Sequence, residues 1–221
     1  MEQSRCPFPH ESGSCDAPQW SEDSRRRADE VARAKAPYSR LDAERAASMA
    51  RQAVESRAED RAIDAIDADF VDQVGKKMGY GHPLSERTGT LEFEWTPEAE
   101  ERLREVPEFC RELTRWRVEW TAHKKGLGHR ITPEIMEVKY AMWGEVSERI
   151  EAREGQQMPW TEEAEQRLER IPEFVRGQVI QAVEGNARRL GSDVVDGTVL
   201  DGTISRWSGS GDFHEGRFGF R

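Results

Sequence analysis

Cysteine is scarce in this chain, with three in 221 residues. An ordinary iron-sulfur cluster takes four thiolates, so the chain cannot supply one by itself; a cluster would need other ligands or a partner that holds it. Long apolar runs are missing as well. No stretch approaches the roughly 18 residues that span a bilayer, which argues against membrane insertion. The opening MEQSRCPFPHESGSC lacks the basic-then-apolar order of a secretory signal, so the sequence reads as cytoplasmic. Basic excess is absent too. With 33 Lys and Arg against 43 Asp and Glu the formal charge is -10, which repels a phosphate backbone and excludes nucleic acid as an expected partner. A composition of 36% hydrophobic and 34% charged residues supplies several modest cores rather than one large one.

Repetition is what the sequence does have. WTPEAEERLREVPEFCR, from Trp95, and WTEEAEQRLERIPEFVR, from Trp160, share 11 of 17 residues at a separation of 65. Each phrase reads as a capped helix, a proline break and the start of a second helix. Thr96 can cap, Pro97 suits the first turn, and Glu98, Glu100 and Glu101 sit near the positive end of the helix dipole. Ala99, Leu103 and Val106 then recur at helical spacing. After Pro107 a second stripe runs through Phe109, Leu113, Trp116 and Trp120 to a left-handed stop at Gly126. Thr132 and Pro133 open a third helix, with Ile135, Met136, Tyr140 and Trp143 on one face before Gly144. The copy at Trp160 follows the same plan, with Phe174, Val183, Ala187 and Leu190 along its second helix. Gly197 and Gly202 weaken its third, each costing about 1 kcal/mol relative to alanine.

A fainter copy lies upstream, where the segment from Val54 tracks the one from Val118 and places Asp67 at the cap position of Thr132. It lacks a recognisable Trp-Thr start. The predicted fold class is therefore all-α: two clear and one degenerate small three-helix repeats, with flexible N- and C-terminal segments. The expected boundaries are a lead segment at 1–24, the degenerate repeat at 25–80, a linker at 81–94, a unit at 95–144, a linker at 145–159, a second clear unit at 160–208 and a tail at 209–221.

Trp95-Thr96, Val106-Pro107-Glu108-Phe109, Val118-Glu119, Gly126 and the ITPEIM segment, at their fixed spacing, resemble the small C-terminal helical domain of the light-independent protochlorophyllide reductase B subunit, a PCP reductase-like unit. The resemblance implies a link to tetrapyrrole or nitrogenase-like redox systems. It does not carry catalysis with it, because the large cluster-binding and tetrapyrrole-binding region of that family has no counterpart in this sequence.

Two groups of residues invite a chemical reading. Cys6, followed by a proline, lies near His10 and Cys15, a set suited to haem ligation or to part of a zinc site. Arg111 and Arg176, with Glu119 and Glu184, recur at matched places on the second helices and read as partner-docking charges. Trp116 joins them because Gln181 replaces it in the sister copy. Cys110, replaced by Val175, reads as a packing residue. These features lead to an expected non-catalytic accessory, scaffold or cofactor-handling role with protein partners. The alternatives are a reductase component whose partner subunits hold an iron-sulfur cluster, and a haem or redox sensor acting through the N-terminal cysteines.

Overall fold

The computed structural model describes residues 17–87, 92–153 and 155–212. The described chain is all-α, with only two-residue strands between its helices. It is built from three units, each containing three helices.

The first unit comprises β1 (Gln19–Trp20), α1 (Glu22–Ser39), α2 (Ala43–Glu59), β2 (Ala65–Ile66) and α3 (Ala68–Lys77). In the second are β3 (Glu94–Trp95), α4 (Pro97–Arg104), α5 (Glu108–Lys125), β4 (Arg130–Ile131) and α6 (Pro133–Arg153). The third has α7 (Glu162–Glu169), α8 (Glu173–Arg189) and α9 (Gly197–Ser210).

One device opens every unit. The residue just ahead of the first helix's cap position pairs in parallel with the one just ahead of the third's: Trp20 with Ile66, Trp95 with Ile131, and Trp160 with Val195. Two helix starts therefore lie side by side. Side chains of Ser21, Thr96 and Thr161 cap the first helices, and Asp67 and Asp196 cap α3 and α9, each satisfying an amide that the helix leaves unpaired. Thr96 and Asp67 are caps as their sequence positions predict, and Gly126 ends α5 in the left-handed conformation.

The first unit differs from the sequence reading in a physically informative way. It opens at Gln19, inside the segment assigned to a lead. Its helices are packed with Ala28, Ala32 and Ala36 on α1 facing Ala46, Ala50 and Ala53 on α2, all buried. Side chains this small let two helix axes approach closely.

Other boundaries also move. Gly144 does not stop α6, which continues to Arg153 through most of the expected 145–159 linker. A single interior glycine costs about 1 kcal/mol, and the buried Ser147 and Ile150 beyond it give the helix a reason to persist. The crossing of α6 with α8 is close. A Cβ at Gly177 would lie 2.5 Å from the Ser147 carbonyl oxygen, and the Gly177 N–H donates to Ser147 Oγ at 2.7 Å. Leu190, expected on an apolar stripe, caps α8 and is exposed. Helix α9 forms in full despite Gly197 and Gly202.

The units pack on one another. Helix α6 lies on α8, α9 on α2, and Arg40 at the end of α1 reaches Glu119 on α5.

Candidate functional site

The residues that recur between units converge on one polar contact. Trp95 Nε1 donates to Glu119 Oε1 at 2.9 Å, and Trp160 Nε1 donates to Glu184 Oε1 at 3.2 Å. Trp20 Nε1 donates to Glu55 Oε1 at 2.8 Å. Each pair ties the opening turn of a unit to its second helix. Trp20 and Glu55 escaped the sequence reading, although Trp-Ser-Glu at Trp20 echoes Trp-Thr-Glu at Trp160, and Val-Glu stands at Val54 as at Val118.

Glu119 is fully buried. Its carboxylate also accepts from the Arg40 guanidinium at 2.6 and 3.3 Å, which supplies the charge compensation that burial demands. Glu184 is 2% exposed and is satisfied differently, by the N–H groups of Gln157 and Met158 and by Arg188. Both carboxylates are turned inward and engaged within the chain, so they do not form the docking surface expected of them.

Arg111 and Arg176 also have local work. Arg111 donates to the carbonyls of Val106 and Arg104, and Arg176 to that of Ile171. These carbonyls follow the ends of α4 and α7 or lie within their last turn, where cationic donors are favoured. The matched arginines therefore cap helices in the described chain.

Trp116 is 2% exposed and packs with Met49 and Tyr80. Gly81 lies directly against its ring: a Cβ there would fall 2.1 Å from Trp116 Cγ. Burial against the first unit removes the indole from any docking face.

His82 joins the first unit to the third. It is 1% exposed, its Nδ1 accepts from the Leu84 N–H at 3.0 Å, and its Nε2 lies 2.8 Å from the Ser210 carbonyl oxygen at the end of α9. This arrangement puts the proton on Nε2. Burial pushes the ring pKa down to about 4, against smaller upward pulls from the Ser210 carbonyl and Asp212. Asp212 is itself buried and paired with Arg57 at 2.6 Å.

Two of the clefts between units border residues named above. One, of about 130 Å3, separates the second unit from the third, with Phe109, Trp143, Phe174 and Trp207 in its wall. Cys110 lines it; burial pushes that thiol up to about 12, in keeping with a packing role. The other, of about 440 Å3, lies where all three units meet.

Cys6, His10 and Cys15 lie outside the described residues. Among the described residues no group of three or more His, Cys, Asp or Glu side chains is placed to hold a metal ion, and no helix is long and apolar enough to cross a membrane.

Residues 160–202 match the family described as the proto-chlorophyllide reductase 57 kD subunit. A stretch of 64 residues is 38% identical to the B subunit of the light-independent protochlorophyllide reductase of Prosthecochloris aestuarii, covering 29% of this chain and 12% of that protein. The chain therefore spans about an eighth of the relative's length. No solved structure matches it significantly. The two matches support the resemblance of this chain to a small domain of that reductase component.

Proposed function

We propose that this chain is a non-catalytic accessory protein of a tetrapyrrole-linked, nitrogenase-like redox system, acting in the cytoplasm through protein partners. The observation that carries the reading is the use made of the recurring residues. The three Trp-Glu pairs and the two arginine caps are engaged in building the units, which supports reading the recurring residues as a folding module. Such a module can hold parts of a complex together without touching the reacting atoms.

A second reading is a component of a protochlorophyllide-reductase-like enzyme whose partner subunits hold the iron-sulfur cluster. The match to a reductase component favours it. Deleting the gene and measuring the cell's tetrapyrrole intermediates tests the shared premise. Accumulation of one intermediate, relieved by re-expression, is expected; an unchanged pigment profile would sink the tetrapyrrole link. An intermediate that is blocked completely, rather than slowed, would favour the enzyme component.

A further inference from the structure

Helix α9 ends in the wall of the cleft where the three units meet. Ser208, in its last turn, and Gly211, its left-handed cap, both line this cleft of about 440 Å3. The residues around them are anchored. The Ser210 carbonyl lies 2.8 Å from His82 Nε2, and the buried Asp212 is paired with Arg57 at 2.6 Å. Residues 213–221 lie outside the described residues, but these anchors fix where that segment starts, which is beside the cleft.

The segment reads FHEGRFGFR. Phe213, Phe218 and Phe220 carry its apolar surface, and Arg217 and Arg221 outnumber Glu215. Nine residues reach up to roughly 30 Å when extended, and Gly216 and Gly219 allow the backbone to turn back. The cleft offers the complement. Leu41, Phe109 and Leu113 line it and are only half-buried, so each keeps apolar surface accessible to water. Its acidic side chains are the exposed Glu108 and the half-exposed Glu112, which Arg115 approaches to 3.6 Å; the exposed Arg45 is the cation of its wall. A segment tethered this closely acts at a millimolar effective concentration, so even a weak contact of its own keeps it in place.

We propose that residues 213–221 fold back into this cleft as an intramolecular peptide ligand. Phenylalanine rings cover Leu41, Phe109 and Leu113, arginines face Glu108 and Glu112, and the segment fastens the three units at their junction. This docking is independent of the accessory role, because it follows from the end of α9 and the cleft beside it and not from any resemblance.

A fluorescent peptide of sequence FHEGRFGFR, titrated into the full chain and followed by polarisation, tests it. In the triple variant Phe213→Ser, Phe218→Ser, Phe220→Ser the chain's own segment no longer competes. That variant is expected to bind one peptide with a Kd below about 1 mM, and the unaltered chain to bind it at least threefold more weakly. Added to the triple variant, Glu108→Lys should weaken the peptide about threefold and Arg45→Glu should tighten it about threefold. Both positions are exposed, and circular dichroism checks that each variant keeps its helices. The unaltered chain should sediment as a monomer at every concentration. Absence of saturable binding by the triple variant, equal affinity in the triple variant and the unaltered chain, or indifference to both charge changes would overturn the proposal. Self-association that the triple variant loses would also overturn it, by placing the segment on a second copy.

Discussion

Trp20 donates its indole N–H to Glu55 across 35 residues, and in doing so it marks the start of a unit that resembles its sisters very little in sequence. The equivalent carboxylates differ in their surroundings. Glu119 is fully buried and shared between Trp95 and Arg40, whereas Glu55 is half-buried and has Trp20 as its hydrogen-bond donor. Removing a partner from a buried ion pair leaves an uncompensated charge. Arg40→Ala, which strands the fully buried Glu119 carboxylate, is therefore expected to lower unfolding stability by about 3–5 kcal/mol, and Glu55→Ala by only about 1 kcal/mol. Urea denaturation of both variants checks the ranking, and equal losses would show that the Arg40 contact adds nothing.

His82 predicts an acid-sensitive junction. Its ring is held neutral in the folded chain, with a pKa near 4, against about 6.5 in an unfolded chain. Between those values the unfolded state binds the extra proton. The contribution to stability is whole above about pH 6.5 and falls as the pH drops through 4, by a total of order 3 kcal/mol. Thermal unfolding from pH 7.5 to 4.5 should reveal this decline, and His82→Gln should flatten it. A curve of unchanged slope in that variant would assign the acid sensitivity elsewhere.

Two glycines on α8 should respond in opposite directions. At Gly177 a methyl group would meet the Ser147 carbonyl, while at Gly185 nothing lies within 4 Å. Gly177→Ala is expected to cost about 2 kcal/mol or more by prying α6 from α8. Gly185→Ala should stabilise by about 0.5–1 kcal/mol through helix propensity alone. Denaturation midpoints of the two variants decide whether the close crossing is as tight as its geometry.

The second and third units were legible because Trp, Leu and Phe recur on their helices and because Thr and Pro mark their starts. The first unit was harder to read for a physical reason: Ala28, Ala32 and Ala36, though set among charged residues, are too small to mark a buried face as Leu or Trp does. The recurrence of Glu119 and Glu184 was visible, but their purpose was not. Spacing along a single helix cannot reveal a partner such as Trp95 or Trp160, which lies 24 residues upstream and meets the carboxylate only after the chain has turned back. The cleft where the three units meet was equally hidden, since it belongs to no single unit.

Trp116 supplies a further test of how the first two units interlock. Gly81 has a φ of +87° and faces the indole at a distance no side chain can share. Gly81→Ala should lose about 3 kcal/mol or more, combining left-handed strain with a steric clash. The loss should be accompanied by a red shift in tryptophan emission as Trp116 meets water. Retained stability with unchanged emission would mean that the two units are not locked at this point.

The accessory role is tested most directly by purifying the tagged chain from its native cell at its natural level and analysing the eluate. Mass spectrometry should find subunits of a tetrapyrrole or nitrogenase-like reductase in fixed proportion to the chain. After separation from them, the chain should absorb in the ultraviolet only. A chain that elutes without such subunits, or that retains a pigment or cluster band of its own and reduces a tetrapyrrole unaided, would contradict the account.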